Sequence, residues 1–397
     1  MEPALDHSRN AVQIGAGRAR TRTNRRLKLI FLIRALGVGG TERQLVELAK
    51  ALDRGVFDVA VLCFYSGGPL ANELVAAGIP VVSLRKRGRW EIVRFLARLA
   101  AELRRRRPDI VHGYLTGPNL MASVMKAILP STRIVWGIRA STFETTGPLE
   151  RMLARLEALL SSSADLVIVN SAAGLDYCRA AGFVRDRCTL IRNGVDVTRF
   201  SPAAAPKSRQ RTLWGIQADA LVIGLIGRLD PMKDHPTFLR AAAILAQSRP
   251  AARFVCIGDG PQAYLSQLRA LAAQLGIGEK VVWTGTIDDM PSAYGALDIC
   301  CSSSFGEGTP NCVTEAMACA VPCVVTDVGD SRIVVGETGE VVPPRDPAAL
   351  AAGLEAMARR IALDPQPGIA ARERIVAGFS LPRLVRETSH ALVACHD

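Results

Sequence analysis

Short apolar runs alternate with helix-like segments along most of this chain of 397 residues, and that alternation limits the fold to few architectures. Runs of strand length occur at residues 28–34, 57–65, 80–84, 109–113, 133–138, 166–170, 221–226, 253–257, 280–284, 299–302 and 323–326. The segments between them show the apolar periodicity of helices. Strands separated by helices pair in parallel with right-handed crossovers. The sequence therefore predicts an α/β protein that binds ligands beyond the carboxyl ends of its strands.

The length of the chain and one short segment indicate two domains. A chain of 397 residues is long for one domain, since single cores stop growing at about 250–300 residues. The stretch at residues 201–209, Ser-Pro-Ala-Ala-Ala-Pro-Lys-Ser-Arg, has the composition of a linker. Residues 1–24 are polar, which favours a disordered basic tail. We therefore expect one domain at residues 25–198 and a second at residues 199–379.

The spacing of the cysteines and the hydropathy of the chain indicate in which cellular compartment the protein is expected. None of the ten cysteines forms a Cys-x-x-Cys pair, and the adjacent Cys300 and Cys301 lie on a predicted strand, where successive side chains point to opposite faces. Neither a disulfide framework nor a zinc site is therefore expected, and the cytoplasm is the simpler location. No apolar run approaches the ~18–20 residues of a membrane span. The amino terminus lacks the apolar core of a signal peptide.

Positive charge is concentrated in two segments of the first half. The net charge of the chain is +12; residues 18–28 have six basic residues and no acidic one, and residues 85–107 have ten basic and two acidic residues. The second segment contains a predicted helix whose apolar stripe consists of Trp90, Val93, Leu96, Leu99, Ala100 and Leu103. Arg94, Arg98 and Arg105 lie away from this stripe.

Two interpretations of this basic helix stay open. It is either a helix packed on its sheet with a solvated face, or a patch that faces anionic lipid headgroups at the inner membrane surface. Each Lys or Arg near such a surface contributes ~1 kcal/mol. Nucleic acid is a weaker option, and we do not expect it as a partner, because no aromatic platform or reading motif accompanies the charge.

The segment Glu307-Gly-Thr-Pro-Asn-Cys-Val-Thr-Glu315 combines two acids with a predicted helix start. Thr309 is a good N-cap, and Pro310 at the first helical position loses no needed N–H group. The N-terminus of such a helix offers free N–H groups and a partial positive charge to an anion. Hydroxyl-binding acids around a phosphate-binding helix end suit a nucleotide sugar, whose phosphates lie between two hydroxyl-bearing rings.

A second candidate element lies upstream of this segment. The apolar run at residues 221–226 ends at Gly227 and is followed by Arg228 and Lys233, ahead of a predicted helix. Arg grips two oxygens of a phosphate and Lys adds a compact charge. Basic residues on a surface are usually only solvated, but together with the acid–helix segment this pair predicts a diphosphate site.

These segments resemble a known family. Gly227-Arg228 with Lys233, followed by Phe305-Gly-Glu307-Gly-Thr-Pro-Asn-Cys-Val-Thr-Glu315, is similar to the signature of retaining glycosyltransferases of family 4. Asn193-Gly-Val-Asp and Gly37-Val-Gly-Gly-Thr-Glu resemble two further segments of that family. The resemblance implies the GT-B architecture, in which two Rossmann-like domains with parallel sheets face each other across a cleft. It also implies an N-terminal acceptor domain, a C-terminal nucleotide-sugar domain, and a last helix, residues 380–397, that crosses back to the N-terminal domain.

The resemblance also implies roles for the quoted residues of the second domain. Arg228 and Lys233 would neutralise the donor diphosphate as the sugar–phosphate bond breaks. Glu307 would bind sugar hydroxyls, and Glu315 would bind ribose hydroxyls. The helix end formed by Thr309, Pro310, Asn311, Cys312 and Val313 would add N–H donors to the phosphates.

Further roles follow for the glycine-rich loop and the base. Gly39 and Gly40 would let the backbone approach the donor phosphates, and Thr286 and Ile287 lie where the family's backbone meets the nucleotide base. No Asp-x-Asp motif is present, so a metal-bridged diphosphate is not indicated, and we expect no metal and no cofactor. The family is thought to retain configuration without a protein nucleophile, so none is assigned.

One position departs from the family. Members often have a His at the end of the fourth or fifth strand of the first domain, pointing into the cleft, and this chain has Arg139 there. An arginine cannot act as a base, but it could bind a phosphate-bearing acceptor or the donor sugar. His112 ends the preceding predicted strand and is either a structural histidine or a sugar contact.

These observations predict a retaining glycosyltransferase of EC class 2.4. The expected donor is a UDP-sugar, with GDP-mannose next, and the expected acceptor is a lipid-linked sugar or saccharide in surface polysaccharide biosynthesis. Two alternatives remain: a nucleotide-sugar 2-epimerase of the same architecture, and a non-catalytic basic protein that binds a membrane surface or nucleic acid.

Overall fold

The fold consists of two α/β lobes with parallel sheets. The computed structural model describes residues 25–88, 91–139, 148–202, 207–364 and 366–397. Both sheets have a central first strand and a change of winding direction beside it, which is the doubly wound Rossmann-like arrangement. The predicted α/β class and the two facing Rossmann-like sheets of the GT-B architecture are confirmed.

The N-terminal lobe has a seven-stranded parallel sheet in the order β3-β2-β1-β4-β5-β6-β7. Its strands are β1 (Leu27–Ile33), β2 (Phe57–Cys63), β3 (Val81–Ser83), β4 (Ile110–Tyr114), β5 (Arg133–Ile138), β6 (Leu166–Val169) and β7 (Cys188–Leu190). Its helices are α1 (Gly40–Ala51), α2 (Pro69–Ala76), α3 (Ile92–Arg106), α4 (Thr116–Lys126), α5 (Pro148–Leu160) and α6 (Ala172–Ala180). From β1 the chain adds β2 and β3 on one side, and it then returns to add β4 to β7 on the other side. A ligand crevice is expected at this reversal, between the neighbouring parallel strands β1 and β4.

The C-terminal lobe has a six-stranded parallel sheet in the order β10-β9-β8-β11-β12-β13. Its strands are β8 (Val222–Ile226), β9 (Arg253–Ile257), β10 (Val281–Gly285), β11 (Ile299–Ser302), β12 (Cys323–Thr326) and β13 (Glu340–Val342). Its helices are α7 (Lys207–Leu213), α8 (His235–Ser248), α9 (Gln262–Gln274), α10 (Met290–Gly295), α11 (Asn311–Ala318), α12 (Ser331–Val335), α13 (Pro347–Leu363), α14 (Gln366–Gly378) and α15 (Leu381–His396).

Each sheet is buried on both faces, as the nearly continuous apolar strands require. In the N-terminal lobe one core lies under α1 and α2, and the other under α3, α4, α5 and α6. Cys300 and Cys301 of β11 lie in different cores of the C-terminal lobe, so the prediction that they point to opposite faces is confirmed. The described cysteines are all free thiols.

The last helix packs on the N-terminal lobe although it follows the C-terminal lobe in sequence. Leu384 and Leu392 of α15 are buried in the same core as α1 and α2. The chain passes between the lobes twice, and the two passages pair: Val195 N–H donates to the Phe379 carbonyl at 2.9 Å, and Leu381 N–H donates to the Val195 carbonyl at 2.8 Å. The domain boundaries themselves stay predictions.

The basic helix α3 buries a different stripe from the predicted one. Phe95, Leu99 and Leu103 are buried at intervals of four residues, whereas Val93 is 80% exposed. Two residues turn an α-helix by about 200°, so Val93 and Phe95 cannot both face the sheet. Trp90, the first residue of the predicted stripe, lies outside the described residues. The prediction was therefore correct for Leu99 and Leu103 and wrong for Val93.

Candidate active site

The mouth of helix α11 is uncapped, contrary to the expectation for Thr309 and Pro310. The helix begins at Asn311, and no side chain bonds its first turn. Pro310 precedes the helix instead of opening it, and the Thr309 hydroxyl donates to the Asn170 carbonyl of the other lobe at 2.5 Å. The capping prediction was wrong because the helix begins one residue later than expected, which places Pro310 rather than Thr309 at the N-cap position. The N–H groups of the first turn are thereby left available to a ligand.

Lys233 and Glu307 form an ion pair beside this helix mouth. A short turn, Pro231–Lys233, follows β8 and is capped by Asp230, whose side chain accepts from the Met232 N–H. Lys233 Nζ lies 2.5 Å from Glu307 Oε1, and the Ser304 hydroxyl donates to the same oxygen at 2.7 Å. Burial disfavours the lysine charge, but the carboxylate outweighs that effect and raises the pKa of Lys233. The Lys233 charge is therefore held directly beside the Glu307 side chain.

Lys233 also lies close to the first turn of α11. Burial raises the pKa of the Cys312 thiol, and the positive charge of Lys233 works against that rise. A Cβ added at Gly227 would lie 3.4 Å from the Lys233 side chain, so the glycine at the end of β8 leaves room for that chain. The loop after β8 and the segment that leads into α11 therefore meet at the Lys233–Glu307 pair, and their binding of a diphosphate stays a prediction.

Arg228 stands apart from this buried pair. Its side chain is 67% exposed, and its guanidinium lies 3.4 Å from Asp230. An exposed ion pair of this length contributes little to stability, so the Arg228 side chain is free to turn toward a ligand. The structure thus places Arg228 at the rim of the convergence and Lys233 inside it.

Glu315 lies farther along α11, where the Tyr294 hydroxyl donates to its carboxylate at 2.8 Å. Burial is the largest influence on this carboxyl and raises its pKa to about 7, while the Tyr294 hydrogen bond acts in the opposite direction. Tyr294 was not predicted as a site residue, since a tyrosine on a short helix gives no signal in the sequence. Glu315 is consequently close to half ionised near neutral pH.

The predicted base segment follows β10 at the same edge of the sheet. Thr286 is exposed. Ile287 is partly buried and packs on the core that includes Tyr294 and Val313. This packing connects the segment to α10 and α11 through apolar contacts alone, so the expectation for Thr286 and Ile287 rests on position rather than on a hydrogen bond.

The glycine-rich loop of the N-terminal lobe touches the mouth of α11. The Asn311 amide donates to the Gly40 carbonyl at 3.1 Å. A Cβ added at Gly40 would lie 2.9 Å from that amide nitrogen, so a larger residue there would displace the Asn311 side chain. Gly39 is the N-cap of α1. Gly40 therefore touches the C-terminal lobe at the place where α11 opens, and the contact of Gly39 and Gly40 with donor phosphates stays a prediction.

Asn193 joins the two lobes at the same point. Its amide donates to Asn311 Oδ1 at 2.9 Å, and its Oδ1 accepts from Arg139 at 2.8 Å. Asn170 donates to the same oxygen at 3.4 Å. Asn193 was not predicted as a site residue, although it belongs to a segment that resembles the family. The sequence does contain one signal for it, because Asn193 is a polar residue directly before a glycine in the segment Asn193-Gly-Val-Asp.

Arg139 follows the last residue of β5, and His112 is the third of the five residues of the neighbouring strand β4. Arg139 is 6% exposed and His112 is fully buried. The Arg139 guanidinium donates to Tyr114 Oη at 3.2 Å and lies 4.8 Å from the centre of that ring. His112 packs between Phe31 and Tyr114, with ring centroids 5.4 and 4.7 Å away. Burial, aided by the charge of Arg139, lowers the pKa of His112 well below its usual range, so this imidazole is neutral.

Comparisons with known proteins agree with this architecture. Residues 38–199 match the family described as "Glycosyltransferase Family 4", and residues 220–360 match "Glycosyl transferases group 1". The crystal structure of Anabaena Alr3699/HepE in complex with UDP-glucose superimposes with a TM-score of 0.83 at 21% identity, over 93% of this chain and 100% of that one.

Two characterised relatives are also similar in sequence. The UDP-Gal:alpha-D-GlcNAc-diphosphoundecaprenol alpha-1,3-galactosyltransferase of Escherichia coli is 23% identical over 307 residues, 75% of this chain and 79% of the relative. A D-inositol 3-phosphate glycosyltransferase of Thermomonospora curvata is 30% identical over 253 residues, 59% of this chain and 56% of the relative. Because the two family matches together extend across both lobes of a GT-B fold, the chain belongs to family 4 of the GT-B glycosyltransferases, whose members are retaining enzymes.

Proposed function

We propose that this glycosyltransferase transfers a sugar from a UDP-sugar to a lipid-linked sugar or saccharide acceptor, with retention, in the synthesis of a surface polysaccharide. The observation that supports this most is the buried Lys233–Glu307 pair next to the uncapped mouth of α11. A cation and free N–H groups there suit a diphosphate, and a fixed carboxylate beside them suits the hydroxyls of the attached sugar.

The chemistry assigned to these residues is electrostatic. Departure of the nucleoside diphosphate leaves additional negative charge on its terminal phosphate, and Lys233, Arg228 and the first turn of α11 stabilise that charge. Groups already aimed at the place where charge develops need no reorganisation during the reaction. Glu307 holds Lys233 in position and accepts hydrogen bonds from the sugar, while Glu315 accepts from the ribose.

The choice of a uridine donor is supported by relatives rather than by a base-reading side chain. The structurally similar Anabaena protein was crystallised with UDP-glucose, and the Escherichia coli relative is named for a UDP-galactose donor. The base segment at Thr286 and Ile287 contains no group that separates uracil from guanine, so GDP-mannose is the second donor to test.

A surface on α3 supports an acceptor held at a membrane. The exposed arginines of this helix and of the segments next to its two ends, which we call the α3 surface, are Arg85, Arg87, Arg94, Arg104, Arg105 and Arg107. Ile92 and Val93 at the start of the helix are 49% and 80% exposed. Cations beside exposed apolar side chains suit the interface of an anionic bilayer. In the described part of the chain no helix combines the length and apolarity needed to cross a membrane, so this contact would be peripheral, at the inner membrane face.

A thermal-shift series tests the donor. A ligand that binds only the native state at about 100 times its Kd stabilises it by about 2.7 kcal/mol, so UDP-glucose or UDP-galactose should raise the melting temperature by several degrees. Stabilisation by GDP-mannose without any by UDP-sugars would overturn the donor assignment. With a membrane extract as acceptor, the enzyme should release UDP; release of a free epimerised sugar would instead identify an epimerase.

Vesicle flotation tests the membrane contact. The protein should float with vesicles containing phosphatidylglycerol at low salt and dissociate as salt is added, because screening weakens exposed charges. Arg94→Gln/Arg104→Gln should reduce the bound fraction, whereas Arg240→Gln/Arg269→Gln, a matched exposed pair on the C-terminal lobe, should not. Equal binding of both double variants would rule out the α3 surface.

A further inference from the structure

Asp330 is a fully buried residue that follows β12 in the C-terminal lobe, and both of its carboxylate oxygens bind groups of the N-terminal lobe. Oδ1 accepts from the Ala172 N–H at 2.8 Å, and Oδ2 accepts from Arg192 Nε at 3.1 Å. Ala172 is the first residue of α6, so the carboxylate also faces the positive end of that helix dipole. The N-terminal lobe therefore holds this carboxylate through a backbone donor, a cation and a helix end.

The position of Asp330 in the sequence favours a different bond. It is the N-cap residue of α12, and an aspartate at that position usually accepts from the first turn of its own helix. The Asp330 side chain makes no such bond. It binds instead to groups that lie 158 and 138 residues away in sequence. Contact between the lobes, rather than helix capping, therefore explains the placement of this carboxylate.

The backbone beside this carboxylate supports the loop that contains Glu307. The Asp330 N–H donates to the Gly308 carbonyl at 2.8 Å. Gly329 has a φ of +55°, and a Cβ added to it would clash with the carbonyl oxygens of Glu307 and Gly308. The Gly329–Asp330 segment thus lies directly against the peptide groups that follow Glu307. A displacement of Asp330 is consequently transmitted to the backbone of Glu307.

The N-terminal lobe contacts the Glu307 loop at a second point. The Thr309 hydroxyl donates to the Asn170 carbonyl at 2.5 Å, and Asn170 lies two residues before Ala172 in the turn between β6 and α6. This one turn therefore holds the Glu307 loop directly through Thr309 and indirectly through Asp330. The placement of the Glu307 backbone depends on contact between the two lobes.

We propose that Asp330 is a positioning residue for sugar transfer: when the lobes are in contact, the N-terminal lobe holds its carboxylate, and its backbone then fixes Glu307 at the donor sugar. This inference rests on the proposed function, which assigns the sugar hydroxyls to Glu307. The nucleotide is assigned to Glu315 and the first turn of α11, and Asp330 forms no hydrogen bond with these groups in the described part of the chain. Loss of the Asp330 carboxylate should therefore lower turnover and leave the affinity for UDP unchanged.

A split between turnover and nucleotide affinity tests this role. The kcat would be measured as UDP release from UDP-glucose or UDP-galactose with a membrane extract as acceptor, and the Kd for UDP by calorimetry. Asp330→Ala should lower kcat about tenfold or more, because small displacements of substrate-positioning groups are costly in transfer reactions. Its Kd for UDP should stay within twofold of wild type. Asp330→Asn should lose less turnover, since its amide oxygen can still accept from the Ala172 N–H.

Arg192→Gln weakens the same contact from the other lobe. It should lower kcat less than Asp330→Ala does, because the Ala172 N–H still holds the carboxylate. The double variant Asp330→Ala/Arg192→Gln should lose no more than Asp330→Ala, since two residues that act through one contact are not additive. The matched control is Asp327→Ala/Arg332→Gln, which removes an exposed ion pair next to Asp330 and within the C-terminal lobe. This control should change neither kcat nor Kd.

The remaining outcomes each decide the question. A kcat of Asp330→Ala within twofold of wild type would overturn the proposal. A fall in kcat matched by an equal rise in the Kd for UDP would also overturn it, since a merely structural residue produces that pattern, and so would additive losses in the double variant. Should Asp330→Ala not fold, an unchanged kcat in Arg192→Gln would overturn it. Failure of the wild-type protein to bind UDP, or to release it from either donor, would overturn the proposed function instead.

Discussion

Arg211 and Arg139 are the two arginines that the described part of the chain buries most completely, at 3% and 6% exposure, yet their surroundings differ. Arg211, on α7 of the C-terminal lobe, lies 2.8 Å from a carboxylate oxygen of Asp298. It also donates to the backbone carbonyls of Ala296, Ala218 and Ala220. Arg139 has an amide oxygen, a phenol oxygen and a ring. A buried charge that is fully partnered holds a fold together, whereas one that lacks an anion indicates a place for a ligand.

The same contrast extends to the two edges that line the cleft. In the C-terminal lobe Lys233 already has Glu307, and Glu315 already has Tyr294. In the N-terminal lobe Arg139 and His112 keep unpartnered nitrogens. The C-terminal edge therefore holds its charged groups in pairs, whereas the N-terminal edge keeps buried nitrogens that have no partner among the described residues.

The largest effect is expected on kcat/KM, from the removal of Lys233 at the C-terminal edge of the cleft. Lys233→Ala should lower kcat/KM about 10²–10³-fold, because it removes a cation aimed at the leaving phosphate and leaves Glu307 buried without its partner. Steady-state kinetics with a UDP-sugar measures this loss. Lys280→Ala is the matched control, since Lys280 is a partly exposed lysine of the same lobe whose ammonium group donates to the Pro250 backbone carbonyl. A kcat/KM within threefold of wild type for Lys233→Ala would remove Lys233 from the site.

The next largest effect is expected on stability, and it distinguishes Arg211 from Arg139. Arg211→Gln should lower the free energy of unfolding by about 2–3 kcal/mol, because three carbonyls and part of the Asp298 charge lose their partner. Asp298 keeps Lys207 at 3.0 Å, which limits the loss. Urea unfolding of Arg211→Gln and Arg139→Gln compares them directly. Equal destabilisation by both substitutions would show that Arg139 is also a structural residue, and the comparison would fail.

The smallest effect is expected in the pH dependence of KM, through Glu315 at the C-terminal edge of the cleft. Because the pKa of Glu315 is raised to about 7, the KM for the UDP-sugar should fall up to about tenfold between pH 6 and 8, as the carboxylate ionises and accepts from the ribose. Glu315→Gln should give a flat profile. Tyr294→Phe removes a hydrogen bond that favours the ionised form, so its midpoint should move to higher pH. A wild-type profile without this slope would contradict the assignment of Glu315.

The same carboxyl makes a signed contribution to stability. The native state retains a proton on Glu315 that the unfolded chain loses above its ordinary value near 4.5. Above that pH the unfolded state therefore gains relative to the native one, and this group alone lowers the stability of the unliganded protein as pH rises from about 4.5 to 7. Glu315→Gln should remove this component of the pH–stability curve.

The strands and the Lys233–Glu307 part of the site could be predicted, because apolar runs and motifs of neighbouring residues determine them. The bounds of β5, β9, β11 and β12 agree with the apolar runs at residues 133–138, 253–257, 299–302 and 323–326. The β7 and β13 strands, three residues each at the far ends of their sheets, were not predicted. Lys233 and Glu307 belong to loops that follow the adjacent strands β8 and β11, so parallel pairing brings them together.

The interlobe contacts could not be predicted because their partners are far apart in sequence. A Thr309 cap is the preferred local solution, but the hydroxyl bonds to Asn170, a residue of the other lobe. Gln44 of α1 likewise exchanges two hydrogen bonds with the backbone of Gly194, 150 residues away in sequence. In both cases a polar side chain satisfied a buried backbone group that only the assembled lobes create.

The paired passages near Val195 and Ser380 determine how the molecule can flex. Both covalent connections run side by side through a single bridge, so the lobes can rotate about that line as about a door hinge without stretching either connection. Gly194 lies at this line of rotation and packs tightly against α15. A Cβ added to it would lie 2.8 Å from the Cβ of Leu384 and 2.9 Å from the Cα of Leu381. Motion is consequently smallest at the hinge and greatest at the rim farthest from it, where substrates would enter and products leave.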